Sequence, residues 1–199
     1  MFVGRVDDEK QIDLLLRAVK SLDRDDIQLV IAGKGAAFSG LQMLAQELNL
    51  GEKARFIGFV PYNDLPAMLN SIDVFVLASE AELLSIASLE AMACARPLLL
   101  ARSQALPELV THGTNGYLFE PGNVEDIARH MALLADNPQQ WSRMGTASLK
   151  KVQAHSIENT LVSYEKLYNG LHTGTLARPQ RLSRQRAQRI WQTISNMLD

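Results

Sequence analysis

Asp73-Val-Phe-Val-Leu-Ala-Ser-Glu-Ala-Glu-Leu-Leu-Ser-Ile-Ala-Ser-Leu-Glu-Ala-Met-Ala-Cys-Ala-Arg-Pro97 passes from an apolar run, through a polar loop, into an alanine- and leucine-rich segment. A strand that ends in a polar loop and then opens a helix is where an α/β sheet takes its ligands. The first N–H groups of such a helix have no partner within it and carry partial positive charge, which suits phosphate. Glu82 and Glu90 flank that point, eight residues apart. Two carboxylates so placed can grip the hydroxyls of a sugar or a ribose. On spacing alone, a solvated Glu82 and a Glu90 that only complements the helix dipole explain the pattern better.

Strand and helix signals alternate outward from this stretch. Strands are predicted at 1–4, 28–32, 55–58, 73–77, 98–101 and 117–119. Helices are predicted at 9–22, with Ile12, Leu15, Leu16 and Val19 on one face, and at 40–48, 63–70 and 86–95. After Pro121-Gly122, Asn123 reads as an N-cap with Glu125 and Asp126 in the first turn. Asn137-Pro138 opens a further helix, and Ser156 with Glu158 another that carries Leu161, Tyr164 and Leu167. The fold class expected is α/β: a Rossmann-like parallel sheet with helices on both faces, followed by C-terminal helices.

The chain has 199 residues, 47% of them hydrophobic, enough for one good core with an appendage. We expect a Rossmann-like domain over 1–170, then a linker and a basic amphipathic helix over 171–199. That tail holds Arg178, Arg181, Arg184, Arg186 and Arg189 against a single acid, Asp199, with Ala187, Ile190, Trp191, Ile194 and Leu198 at helical spacing. It reads as a helix docking on its own protein, or as one lying on an anionic membrane surface. The rest of the chain is net acidic, so the composition is not that of a nucleic-acid-binding protein. Cys94, the lone cysteine, reads as a buried, inert thiol, and no apolar stretch reaches bilayer-spanning length. A cytoplasmic protein is expected, with the tail as a contact to the inner face of the membrane.

Arg5 and Lys10 follow the first strand. A planar fork and a point charge together suit a pyrophosphate, whereas the plainer reading is a surface salt bridge with Asp7, Asp8 or Glu9. Gly33-Lys-Gly35 lacks the third glycine of a dinucleotide loop and reads as a tight turn, with Lys34 solvated. His112, His130, His155 and His172 show no ligand spacing, so no metal site is expected, and His112 reads as an ordinary loop residue.

The stretch from Ser79 to Pro97 resembles the E-x7-E signature of retaining GT-B glycosyltransferases, in particular family 4, or group 1. Phe2-Val-Gly-Arg5 with Lys10, Leu29-Val-Ile-Ala-Gly-Lys-Gly35, Phe56-Ile-Gly-Phe-Val-Pro61, Leu65–Leu77, Pro107-Glu-Leu-Val110 and Asn115-Gly-Tyr-Leu-Phe-Glu-Pro-Gly122 are similar to successive pieces of that family's second domain, in order. The resemblance covers roughly residues 1 to 168. It implies the C-terminal, nucleotide-sugar half of a GT-B fold. The partners implied are a nucleotide-sugar and an N-terminal acceptor domain absent from this chain, with no cofactor beyond the NDP-sugar donor itself.

By the same resemblance Glu82, Arg5 and Lys10 are the catalytic set. Gly4, Arg5, Lys10, Val60, Glu82, Leu84, Ser85, Ile86 and Glu90 bind the donor. Glu90 would hold the ribose hydroxyls, Glu82 would lie near the sugar, the backbone at Ser85 and Ile86 would cradle the distal phosphate, and Phe59 and Val60 would line the base pocket. Three places depart from the family pattern. Leu84-Ser85 stands where Phe-Gly is usual, Ala95 where a glycine ends the helix, and Gln104-Ala105 where a Gly-Gly turn is usual. Asp23-Arg-Asp25 spells the Asp-x-Asp metal motif of the other glycosyltransferase fold, but at a helix end, where chance explains it. The function expected is retaining, metal-independent sugar transfer from an NDP-sugar. Alternatives are a non-catalytic module of the same fold, or an NDP-sugar epimerase or sugar phosphorylase.

Overall fold

The computed structural model describes residues 1–175; the basic tail read above as a helix lies outside the described residues. The strands are β1 (Phe2–Val3), β2 (Leu29–Ala32), β3 (Ala54–Gly58), β4 (Phe75–Leu77), β5 (Leu98–Ala101) and β6 (Gly116–Phe119). The helices are α1 (Ile12–Leu22), α2 (Phe38–Glu47), α3 (Leu65–Asn70), α4 (Ile86–Ala93), α5 (Leu106–Leu109), α6 (Val124–Ala135), α7 (Trp141–Val152) and α8 (Ile157–His172). The described chain divides into a unit that ends at His155 and one that begins at Ser156.

The first unit is a Rossmann-like α/β body. Its strands form two parallel three-stranded ladders, β1-β2-β3 and β4-β5-β6. The ladders meet where β1 lies beside β4, through a hydrogen bond from Val76 N to Met1 O of 2.9 Å. The resulting order, 3-2-1-4-5-6, has its switch point between β1 and β4. Parallel strands covered on both faces are apolar throughout. Leu98, Leu99, Leu100 and Ala101 of β5 are accordingly all buried. Helix α1 packs against α2 and α6, and α4 packs against α3 and α7, which gives the two covering layers.

The predicted periodicity of α1 holds: Ile12, Leu15, Leu16 and Val19 are all buried. Its start does not. Asp8–Lys10 form a single 3-10 turn, and Gln11 takes a left-handed conformation (φ 49°), so the α-helix begins at Ile12 rather than Glu9. Helix α3 starts at Leu65, two residues later than expected, with Pro66 in its first turn. Helix α4 stops at Ala93 because Ala95 turns left-handed (φ 55°), an end that glycine usually supplies. Cys94, its C-cap, is only partly buried, which corrects the expected buried thiol; burial still pushes its pKa up, so it stays protonated.

Asn123 caps α6 as predicted, its side chain accepting from Asp126 N. Trp141 Nε1 donates to Leu134 O at 2.9 Å and so ties α7 to α6. Asn115, 1% exposed, accepts from Thr111 N at 2.7 Å and donates to Leu109 O at 3.0 Å, which fixes the turn that feeds β6. Asp23-Arg-Asp25 is an ion-pair site. Lys53 bridges Asp23 and Asp25 at 3.2 and 3.0 Å, while Arg24 holds Asp26 and Asp136.

His112 is more than a loop residue. Its Nδ1 accepts from Leu118 N at 3.2 Å, and its ring meets Tyr117 and His130 edge-on. Partial burial, then His130, Arg102 and Arg129, hold its pKa below 6.5, outweighing Asp126. Folding therefore favours the neutral ring. The stability this gives is present above pH 6.5 and is lost as pH falls through the lower folded pKa. Replacing His112 by Gln, whose amide oxygen can accept the same bond, should flatten the fall in melting temperature below pH 6.5, as read by calorimetric scans.

In the second unit, Ser156 caps α8, its hydroxyl accepting from Asn159 N. Leu161, Tyr164 and Leu167 are exposed there, as are Ile157 and Tyr168. No described helix is long and apolar enough to cross a membrane.

Candidate functional site

The C-terminal edge of the sheet is built on two glycines that let the loops after β1 and β2 touch. Gly4 N donates to Ala32 O at 3.0 Å, Val6 N to Lys34 O at 2.9 Å, and Gly33 N to Gly58 O at 2.7 Å. A Cβ on Gly33 would lie 1.8 Å from Gly4 O, and one on Gly35 2.2 Å from Val6 O. Asp7 Oδ1 accepts from Ala36 N at 3.0 Å, so the loop after β1 is held at a second point. The Gly33-Lys-Gly35 turn thus serves as the seat of the loop that carries Arg5 and Lys10.

Lys10 reaches across the switch point. Its Nζ lies 2.7 Å from Glu82 Oε1, and both side chains are only 14% exposed. Glu9 lies 3.5 Å from the same ammonium and 2.6 Å from Arg5, which also pairs with Asp7 at 2.9 Å. Arg5 itself is 70% exposed, so its two pairings lie at the surface, where a ligand's oxygens can replace the carboxylates. The structure therefore joins Lys10 to Glu82 directly, and Arg5 to Lys10 through Glu9.

The loop from Ser79 to Ser85 is anchored from both sides. Glu82 O accepts from Ala105 N at 3.2 Å and Glu80 O from Ser103 Oγ at 3.0 Å. Gln104 is left-handed (φ 47°) and so shapes the backbone that meets this loop. Ser85 is the N-cap of α4. Its hydroxyl accepts from Ser88 N at 3.2 Å and from Ser88 Oγ at 2.8 Å, and its side chain is buried. The Cβ of Ser85 is thus turned into the cap, while Leu84 and Ile86 are exposed beside it. The first-turn N–H groups of α4 stand at this edge with the positive end of the helix dipole.

Glu90, one turn beyond Ile86 on α4, is partly buried, and burial raises its pKa above 4.5. Gly4, Arg5, Gly33, Lys34, Phe59 and Val60 line a cavity of about 220 Å³ at the same edge. Lys34 is not merely solvated: its Nζ sits 5.8 Å from the Phe59 ring centroid. A larger cleft of about 280 Å³ lies at the opposite edge, lined by Val19, Leu29, Val74, Leu134 and Trp141. Its lining carboxylates are Asp26, held by Arg24, and Asp73, whereas the smaller cavity is the one lined by Gly4 and Arg5.

Residues 1–151 match the family model described as glycosyl transferases group 1. This chain belongs to that family. An alpha-D-kanosaminyltransferase of Streptomyces kanamyceticus is 32% identical over 146 residues, covering 72% of this chain and 38% of that protein. An uncharacterized glycosyltransferase of Methanocaldococcus jannaschii is 38% identical over 129 residues, covering 64% of this chain and 33% of the relative. Among solved structures, the catalytic domain of the cholesterol-alpha-glucosyltransferase of Helicobacter pylori superposes with a TM-score of 0.70 at 30% identity. That superposition covers 78% of this chain and 98% of that one. HepE of Anabaena in complex with UDP shares the fold, with a TM-score of 0.74 at 20% identity over 86% of this chain and 48% of its own. This group 1 chain spans between 29% and 46% of the length of eight curated relatives that it matches.

Sequence reasoning missed two residues that contact each other beside this candidate site. Gln11 Nε2 donates to Glu80 Oε1 at 3.1 Å, a second tie between the start of α1 and the loop that carries Glu82. Their positions directly beside Lys10 and two before Glu82 were the only signal the sequence held.

Proposed function

We propose that this chain is the donor-binding half of a retaining, metal-independent glycosyltransferase that transfers a sugar from an NDP-sugar. A second α/β domain, outside this chain, would supply the acceptor side of the cleft. The observation that carries the reading is the largely buried Lys10–Glu82 pair at the switch point, beside Arg5 and the N-terminus of α4. Departure of a nucleoside diphosphate develops negative charge on its oxygens. An ammonium, a guanidinium and the first-turn amides of a helix are groups that stabilise it without reorganising. Arg5 and Lys10 would exchange their carboxylate partners for phosphate oxygens, leaving Glu82 free beside the sugar. The 220 Å³ cavity between Gly4 and Val60 would take the base, against Phe59 and Val60. Glu90 would accept from the ribose hydroxyls. UDP in HepE and the names of the curated relatives support a nucleotide-sugar donor for this chain.

Calorimetric titration with UDP, GDP and ADP tests the reading. One nucleotide should bind selectively, and Arg5→Ala should weaken it by about tenfold, the worth of one charge-assisted hydrogen bond. Equal binding by wild type and variant would remove Arg5 from the site, and silence from all three nucleotides would overturn the donor-site reading.

Glu90 offers a separate check. Its raised pKa means that folding favours the protonated carboxyl. That stability is full below pH 4.5 and is lost as pH rises through the folded value. Glu90→Gln should therefore melt higher than wild type at pH 7, with the gap closing in acid, and bind the nucleotide more weakly. Tighter melting with unchanged binding would leave Glu90 without a ligand role.

A further inference from the structure

Gln11 carries two local penalties at once. Its backbone is left-handed (φ 49°, ψ 42°), a conformation that crowds the Cβ of any L-residue against its own carbonyl and that glycine adopts freely. Its Oε1 is enclosed and accepts no hydrogen bond. A residue held in such a state marks a place where the surroundings impose it, and such places gather at functional sites.

What Gln11 gains is one contact. Its Nε2 donates to Glu80 Oε1 at 3.1 Å, and among the described residues this is the only side-chain hydrogen bond to that carboxylate. The Glu80 carboxylate lies beside Gly122, where a Cβ would come within 3.9 Å of Oε1, so it sits between the start of α1 and the turn after β6. Lys10 and Gln11 are adjacent, and they grip Glu82 and Glu80 respectively, two positions of the same loop. The left-handed turn at Gln11 is what ends the 3-10 turn of Lys10 and starts α1 one residue later.

We infer that Gln11 is a positioning residue. Its amide, by holding Glu80, pins the β4–α4 loop against α1 and keeps Glu82 in place for the donor sugar when Lys10 turns to the diphosphate. The inference rests on the donor-site reading for its purpose, but not for its first test.

The test is hydrogen exchange followed by mass spectrometry on the whole chain, beside thermal melts, for wild type, Gln11→Gly, Gln11→Ala and Glu80→Ala. Gln11→Gly removes both penalties, so it should melt higher than wild type. Its amides over residues 80–85 should nonetheless exchange about tenfold faster, as expected for loss of one restraining hydrogen bond. Gln11→Ala and Glu80→Ala should show the same faster exchange, Gln11→Ala without the gain in melting temperature. A merely structural Gln11 would lower melting temperature and protection together, and that result overturns the inference. So does unchanged exchange over 80–85 in Gln11→Gly, or a Glu80→Ala loop that stays protected.

Binding is read next, with UDP, UDP-glucose, GDP and GDP-mannose. In Gln11→Gly the bare nucleotide should bind as in wild type, while the sugar nucleotide of the same base loses affinity about fivefold or more. Equal losses for both, or none, remove the sugar-positioning role. Wild-type chain that binds none of the four overturns the donor-site reading, whatever the exchange result.

Discussion

Lys10→Ala is expected to lose nucleotide binding by between about ten- and a hundredfold, and to destabilise the free protein at the same time. Among the described residues the ammonium is the one cation seated on Glu82, at 2.7 Å in a site where both side chains are 14% exposed. Charge-assisted hydrogen bonds contribute about 1.5–3 kcal/mol each, which sets the binding loss. Removing one partner strands the other, so Glu82 is left with its desolvation uncompensated and the melting temperature falls. These two effects separate in a double variant. Lys10→Ala with Glu82→Gln removes the stranded charge and should recover most of the lost stability while binding stays weak. Titration calorimetry and melts on the three proteins decide it. Recovery of binding in the double variant would mean that Lys10 serves only to neutralise Glu82, and the diphosphate role would fall. In a complete enzyme the same change should lower transfer by on the order of a hundredfold or more, the loss typical of one fixed group facing developing charge.

Gly33→Ala should be the most damaging single methyl in this edge of the fold. The added carbon would stand 1.8 Å from the carbonyl oxygen of Gly4, a backbone atom that cannot swing aside, and at φ 145° the residue is strained as well. The β1 and β2 loops must part, and the loop that carries Arg5 and Lys10 moves with them. A loss of about 3–5 kcal/mol is expected, with nucleotide binding abolished in whatever protein remains folded. Gly40→Ala is the matched comparison. Gly40 lies in α2 with no atom within 4 Å of an added Cβ. There the methyl should stabilise by about 0.5–1 kcal/mol through helix propensity. Urea unfolding of the pair measures both, and similar midpoints for the two would show that the Gly4–Gly33 crossing is looser than its geometry requires.

The sheet and most helices were legible because their signals are local. Leu98–Ala101 is a short apolar run of the kind that a strand buried on both faces shows, and Asn123 with two acids after it is a helix-opening pattern. Helix ends were legible where a side chain caps, as at Ser156 and Asn123, and not where the backbone alone decides. Gln11, Ala95 and Gln104 adopt left-handed conformations that their side chains do not announce. That is why α1 was extended to Glu9 and α4 to Ala95. The candidate site divides the same way. Lys10 and Glu82 were each singled out through the family resemblance, not by spacing, yet their contact joins positions 72 apart in sequence and exists only because β1 and β4 are neighbours at the switch point. Glu80 and Gln11 belong to no motif, and Ser85, expected to meet phosphate through its backbone, has its side chain committed to capping α4.

The carboxylates around Arg5 and Lys10 have a consequence for encounter with ligand. Asp7, Glu9 and Glu82 already occupy the two cations, so the unliganded loop projects little positive field into solvent. Capture of an anion there is a swap of counterions inside the protein, one set of oxygens for another. Long-range attraction then contributes little to the on-rate, and dilute salt should alter affinity less than two bare cations would predict. Entry falls to a molecule that can replace every displaced carboxylate contact at once.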